Sequence, residues 1–245
     1  MKTYKYDTHV HTSEGSACAR STGAEMADAH KAMGYDGIII TNHFFNGNTC
    51  IPHELTWEEK VELFCTGYEN AKKRGDEIGL TVLFGWELGG QWGSEFLTYG
   101  LDKQWLLEHP EIMDIEIWEY AKLVHESGGF IVHAHPFRNR PYVQKMTFIP
   151  NDIDGVECIN MFNHPEENER ARWFAESYGL PMTAGSDSHC TDNLPGGGIV
   201  TNTEIKTIED YKNILMDYRD PVHNCPGIVK LLDGKGGIEF PPKDR

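Results

Sequence analysis

The sequence predicts an α/β fold built on a parallel sheet. Strand-like and helix-like stretches alternate about six or seven times along the chain. A length of 245 residues suffices for one substantial core, and no Pro/Ser-rich linker or low-complexity run divides it. No Gly-x-Gly-x-x-Gly follows the first strand, which counts against a dinucleotide-binding sheet. An α/β barrel and a doubly wound sheet both suit this length, and periodicity alone does not separate them.

The elements follow in order. Lys2–Val10 reads as a strand, and Thr22–Met33 as a helix with a Thr22/Glu25 capping box, ended by Gly34. Gly37–Thr41, with its three isoleucines, is a buried strand. Thr56–Lys73 is a long helix with a Thr56/Glu59 capping box, closed by Gly75. Leu80–Trp86 is a strand and Glu95–Leu101 a short one. A helix over Ile112–Ser127 stops at Gly128-Gly129, before strands at Phe130–Ala134 and Gly155–Ile159. Glu166–Tyr178 is a helix capped by Gly179. Pro181–Ala184 and Ile199–Thr203 are strands, and a last helix runs from about Ile208 to Tyr218. The expected organisation is a single domain over 1–245, with a Gly/Pro-containing tail at 221–245 packing on its surface.

Acidic residues outnumber basic ones by 38 to 22, a formal charge of −16. Such a surface repels phosphate backbones and anionic lipid, which disfavours nucleic acid as a partner. Part of the acidic excess suits metal ligands, whose charge a bound cation cancels. No apolar run approaches the roughly 20 residues of a membrane span, and no signal-peptide core opens the chain. The six cysteines are scattered without a Cys-x-x-Cys pair, which fits reduced thiols. These features lead us to expect a soluble, cytoplasmic protein.

Polar residues collect at the ends of the expected strands. Strand one ends in His9-Val-His11-Thr-Ser-Glu14, the second in Thr41-Asn42-His43, the third in Gly85-Trp86-Glu87. His133-Ala-His135-Pro-Phe-Arg138, Glu157 to Asn160, and Asp187-Ser-His189 follow. In a parallel barrel all C-terminal strand ends share the face that carries the active site. Residues i and i+2 of a strand point to one side, so His9 and His11 aim two imidazoles at one point. His133/His135 and Asp187/His189 repeat the spacing. Mixed histidine and carboxylate ligation suits zinc, manganese or iron. His30 and His125 lie in helices and read as structural or solvated. His53, His109, His164 and His223 read as exposed, and Cys18 and Cys190 as ordinary buried thiols in preference to ligands.

Together, His9-Val-His11, Thr41-Asn-His43, Glu87, His135-Pro136 and Asp187-Ser-His189 resemble the PHP (polymerase and histidinol phosphatase) superfamily, in its motif order from about Asp7 to His189. The resemblance implies a distorted (β/α)7 TIM-like barrel, a small stand-alone phosphoesterase, and a centre of two to three divalent ions (Zn, Mn or Fe). It implies that His9, His11, Glu87 and Asp187 hold one metal. Glu87 bridges to a second, held also by His135. His43 and His189 hold a third, with Glu14 as the remaining ligand. Glu95 stands where members often have a histidine, and Asn42 where aspartate is usual. His133 is extra to the motif and reads as outer-sphere or substrate-facing.

The expected reaction is hydrolysis of a small phosphorylated metabolite by a metal-bound hydroxide. Asp187, His189 and Arg138 are the candidate catalytic residues. Arg138 and Arg20 could clamp phosphate, against the alternative of surface ion pairs. Glu157 could orient a ligand histidine or make a structural hydrogen bond. Trp86 reads as core, while Trp92, Tyr99 and Phe137 could line a substrate wall. Three other activities compete: an exonuclease-like phosphodiesterase, an amidohydrolase-type C–N hydrolase, and a metal-binding domain without turnover.

Overall fold

The computed structural model describes residues 2–192, 194–217 and 227–239. Seven strands curl around a common axis: β1 (Tyr4–Val10), β2 (Gly37–Ile40), β3 (Thr81–Gly89), β4 (Glu95–Tyr99), β5 (Phe130–Ala134), β6 (Gly155–Asn160) and β7 (Met182–Gly185). They are hydrogen-bonded in sequence order. The first and last meet at their C-terminal ends. There Asp187 N–H donates to His9 O (2.9 Å) and His11 N–H to Ser188 O (2.9 Å). On the same edge, the N-terminal half of β1 pairs instead with antiparallel β8 (Gly197–Thr201). One strand edge shared between two partners is what distorts the barrel.

Helices cover the outside: α1 (Gly23–Ala32), α2 (Trp57–Ile78), α3 (Lys103–Glu108), α4 (Ile117–Glu126), α5 (Pro165–Tyr178) and α6 (Ile208–Asp217). Both expected capping boxes form, Thr22 with Glu25 and Thr56 with Glu59. The α2 helix runs past Gly75 to a left-handed cap at Gly79. Gly75 is a packing glycine, since a Cβ there would lie 2.6 Å from Leu80 O. The helix expected over Ile112–Ser127 begins at Ile117. Pro110 opens a 3₁₀ turn before it, and α3, which the sequence reading passes over, is capped by Asp102.

The sheet is mixed, which corrects the all-parallel expectation. Pairs β1–β2, β2–β3, β5–β6 and β6–β7 are parallel, whereas β4 runs antiparallel to both neighbours. Only Gly90–Ser94 separate β3 from β4, too few for the crossover that a parallel return requires. Reversal of β4 carries its first residue, Glu95, to the end of the barrel where the parallel strands finish. The tail is also more ordered than a surface wrap: β9 (Ile228–Asp233) pairs with β8, and β10 (Ile238–Glu239) with β9. Tyr218, His223 and Cys225 lie outside the described residues.

The core is rich in large aromatics. Trp86, Tyr99, Tyr120 and Phe130 are at most 1% exposed, so Tyr99 joins Trp86 in the core and does not line a substrate wall. Trp86 Nε1 donates to Tyr120 Oη (2.8 Å) and Tyr99 Oη to Thr8 O (2.7 Å), which satisfies their polar ends. No described helix is long and apolar enough to cross a membrane.

Close approach of β1, β6 and β7 depends on Gly185. A Cβ there would sit 2.4 Å from His9 Cβ and 2.6 Å from Glu157 Oε1. We expect Gly185→Ala to lower stability by about 1–3 kcal/mol, the usual scale of overpacking. Denaturant unfolding measures this, and an unchanged midpoint would contradict the packing described.

Candidate metal centre

At the closed end of the barrel, histidines and carboxylates from β1, β2, β3, β4, β5 and β7 converge. His9 and His11 face each other through their Nε2 atoms at 3.0 Å. Asp187 Oδ1 lies 3.4 and 3.1 Å from those two nitrogens, and Glu87 oxygens lie 3.4 and 3.6 Å away. On its other side, Glu87 Oε1 meets His135 Nε2 at 3.0 Å, and Oε2 meets His43 Nδ1 at 2.7 Å. Glu95 completes this side, 3.6 Å from His135 Nε2 and 3.8 Å from His43 Nδ1. Ligand-bearing atoms form overlapping groups, all within 4.8 Å of one another: His9/His11/Asp187, His43/Glu87/Glu95, His11/His43/His189 and His9/His135/Glu157.

The outer contacts fix which nitrogen each imidazole presents. Glu157 is fully buried, and its Oε1 accepts from His9 Nδ1 (2.8 Å) while Oε2 accepts from His135 N–H (3.0 Å) and Asn160 Nδ2 (3.0 Å). It therefore holds the His9 ring and also bonds the His135 backbone, so its contacts fit both roles left open by the sequence. Ser16 Oγ donates to Asn42 Oδ1 (3.1 Å) and accepts from His43 N–H (3.0 Å), so His11 Nδ1 donates to it (2.9 Å). Both histidines thus turn Nε2 inward. Asn42 anchors this network without a charge. The sequence reading gave Ser16 no role, because nothing in its spacing marks it.

Electrostatics point to missing positive charge. Burial would raise the Glu87 carboxyl, but His9 and His43 hold it well below the usual range. Burial acts likewise on Asp187, where His9 and Arg138 prevail and hold it low. Burial opposes charge on His9, yet Glu157, Asp187 and Glu87 push its pKa well above normal. Burial and the charges of His189 and His43 depress His11. Glu95 is raised to about 7 by burial and by the neighbouring Glu87 charge. Among the described residues, buried His43 Nδ1 and Glu87 Oε2 form no regularly angled hydrogen bond, although they lie 2.7 Å apart. Orphaned lone pairs inside a buried His/carboxylate set fit divalent ions of the zinc, manganese or iron kind.

Several expected site residues lie elsewhere. Glu14 accepts from Gly23 N–H (3.1 Å to each oxygen) at the start of α1 and from Asn70 Nδ2 (3.2 Å), so it caps a helix and leaves the cluster. Arg20 has a side chain 72% exposed and lies 3.8 Å from Asp192, a surface pair rather than a phosphate clamp. Arg138 does reach the centre, where two of its three guanidinium nitrogens are engaged. Nη2 donates to Asp187 Oδ2 (2.7 Å) and Asn160 Oδ1 (2.7 Å), and Nε to Asn163 Oδ1 (3.0 Å). His133 faces away from the cluster. It is paired in register with Phe96, on the face opposite Glu95 and Ala134, and its ring stacks on Phe96 at 4.6 Å. His135 turns inward only because it leaves β5 with a φ of 29°. Burial, then the His135 charge, lowers the His133 pKa to about 3.

Cys18, read from the sequence as a buried thiol, is exposed, and His189 and His43 act on its acidity. Burial would raise its pKa, yet these two histidines bring it down to about 6. Among the aromatic residues, Trp92, Tyr142 and Phe162 are exposed, with Phe162 edge-on to His189 at 6.1 Å.

Solved structures share this architecture. A Bifidobacterium adolescentis protein assigned as a metal-dependent phosphoesterase superposes with a TM-score of 0.59 at 16% identity, covering 89% of this chain and 98% of that one. A two-domain Bacteroides vulgatus protein containing a predicted PHP-like metal-dependent phosphoesterase gives 0.64 at 16% identity, over 89% of this chain and 64% of its own. The lesion-specific endonuclease Q of Pyrococcus furiosus gives 0.62 at 13% identity, over 94% of this chain and 58% of its own. Residues 165–215 match the family described as PHP-associated. No curated protein matches the chain in sequence. The chain thus shares the fold of these proteins, and its residues 165–215 match a family associated with the PHP domain.

Glu157 gives the outer contacts a test. Glu157→Gln removes one acceptor charge beneath His9 and His135, and we expect divalent-metal affinity to fall about 10- to 100-fold. Competition with a chromogenic chelator reads this directly. Unchanged affinity would mean that Glu157 only packs.

Proposed function

We propose that the chain is a metal-dependent phosphoesterase acting on small phosphate monoesters. The observation that carries this reading is the position of Glu87. It lies between His9/His11/Asp187 on one side and His43/His135/Glu95 on the other, as a carboxylate shared between adjacent ions would. His9, His11, Glu87 and Asp187 would hold one ion, and His135, Glu87 and Glu95 a second. His43 and His189 would hold a third. Such ions polarise phosphoryl oxygens and acidify water at neutral pH.

The protein's own residues supply orientation. Glu157 and the Ser16–Asn42 pair lock the imidazoles of His9 and His11. Arg138 and Asn160 hold the outer oxygen of Asp187 and leave Oδ1 toward the histidines. Arg138 is therefore a positioning residue for Asp187. His189 donates Nδ1–H to Asp187 O (2.6 Å) and stands at the partly exposed mouth of the site. A net charge of −16 favours a small ester over a polyanion, although the fold is shared with an endonuclease.

Protein purified without chelator is to be assayed for metal content and for turnover of a generic phosphomonoester, a phosphodiester and an oligonucleotide. We expect bound divalent metal, with the monoester preferred. Glu87→Ala should lose most of the metal and fall to the rate of chelator-treated protein. Preference for the oligonucleotide would replace the small-substrate reading with a nuclease. Metal without turnover of any ester would favour amide hydrolysis or a binding role. Full metal retention in Glu87→Ala would overturn the bridging assignment.

A further inference from the structure

The turn that follows β6 sets an aromatic ring at the rim of the metal centre and holds it there. Phe162 is 53% exposed, yet its backbone is tied on both sides. Its N–H donates to Asn160 Oδ1 (2.9 Å), and its carbonyl accepts from Arg140 Nη2 (2.8 Å). Both anchors are themselves held. Asn160 is fully buried and donates to Glu157 and Asp187, while Arg140 Nη1 donates to buried Glu167 Oε1 (2.8 Å). Asn163 N–H closes the turn on Asn160 O (3.1 Å). A large ring left in water contributes little to stability, yet several polar groups are engaged in placing this one.

The ring has a defined relation to the cluster. Its centroid lies 6.1 Å from that of His189, with the two planes at 89°. His189 in turn stacks on His11 at 4.2 Å and belongs with His11 and His43 to one of the ligand groups. Phe162 is therefore one imidazole removed from the ligand atoms. A second loop at this end of the barrel carries another exposed ring, in a backbone conformation that costs free energy. Trp92 has a φ of 72°, which is left-handed and unusual for a bulky residue. Its carbonyl accepts from Gln144 N–H (2.8 Å) and Lys145 N–H (3.2 Å), and Lys145 Nζ lies 4.0 Å from its ring centroid. Glu95 follows three residues later, within about 11 Å even for an extended chain. Two exposed aromatics, each fixed by its loop, thus stand at the end of the barrel that carries the centre.

We propose that Phe162 is a specificity-determining residue that packs against the leaving group of the substrate. The preferred substrates are then monoesters whose leaving group carries a flat, unsaturated ring near the ester oxygen. This rests on the phosphoesterase reading, which places the phosphoryl group at the metal centre. The leaving group points out through the mouth, where His189 is partly exposed and Phe162 is the ring beside it. A flat ring meets Phe162 edge-on or offset and gains more than its buried area alone provides. The hydroxyls of a sugar would be pressed against a surface with no hydrogen bond to offer. Such a contact is made in the bound substrate as well as in the transition state, so it acts more on KM than on kcat.

Benzyl phosphate and butyl phosphate, assayed with the metal-loaded full chain, test this. Both release an alkoxide, so the ratio of their kcat/KM values isolates the ring. We expect wild type to favour the benzyl ester about 5- to 10-fold, mostly through KM. Phe162→Ala should bring the ratio close to one at unchanged metal content, and Phe162→Tyr should restore it. Trp173→Ala, on the outer face of α5, should keep the wild-type ratio. A ratio near one in wild type, or one that Phe162→Ala leaves unchanged, would overturn the proposal. So would a loss that falls equally on both esters or follows a loss of metal, since Phe162 would then be structural. If neither ester is turned over, the phosphoesterase reading fails, and calorimetry with benzylphosphonate and butylphosphonate decides the proposal separately. Tighter benzylphosphonate binding that Phe162→Ala abolishes would uphold the aromatic contact, and equal binding of the two would end it.

Discussion

Everything at the closed end of the barrel answers to one electrostatic constraint. Glu87, Glu95, Glu157 and Asp187 are buried or nearly so, and Arg138 is the guanidinium placed against them. Buried carboxylates require partners, or they lose their charge. The chain meets the requirement in three ways. Arg138 pairs with Asp187, the carboxylates around His9 raise its pKa, and Glu95 is pushed toward its neutral form. Imidazole lone pairs still face one another across the remaining gap. A site that concentrates anions and lone pairs in this way is built for cations, and the hydrogen bonds around it set their ligands before any ion arrives.

That constraint also explains features of the fold. The β1 edge is split between β8 and the end of β7, so the barrel closes only where Asp187 and Ser188 meet His9 and His11. Gly185 admits the approach. Asp7, also buried, accepts from Ser186 N–H (2.9 Å) and from His30 Nε2 (3.1 Å), and so ties β7 and α1 to the base of β1. His30 is thus a structural histidine, as its helical position implied. Reversal of β4 delivers Glu95 to an end that a parallel strand would have supplied with its last residue.

Much of this was legible in the sequence, and the failures have physical causes. Alternation of strands and helices, the two capping boxes and the His-x-His at the end of β1 all follow from short-range rules. The same i, i+2 rule misplaced His133, because it assumes that the strand continues. β5 ends at Ala134, and the left-handed turn at His135 carries only the second ring inward. Arg138 reaches the cluster as expected, but sequence does not reveal that Asn160, Asn163 and Asp187 hold two of its guanidinium nitrogens. Glu14 missed its expectation for a tertiary reason: it holds the start of α1, and local spacing does not show which helix start a loop residue will cap.

The central claim is that the cluster is a metal centre organised around Glu87. Anomalous X-ray scattering from crystals grown with zinc and with manganese, collected at each absorption edge, tests it most directly. We predict adjacent peaks on either side of the Glu87 carboxylate, one among His9, His11 and Asp187, the other toward His135 and Glu95. A fully formed cluster with no anomalous peak beside Glu87, at metal concentrations that saturate the protein in solution, would contradict the account.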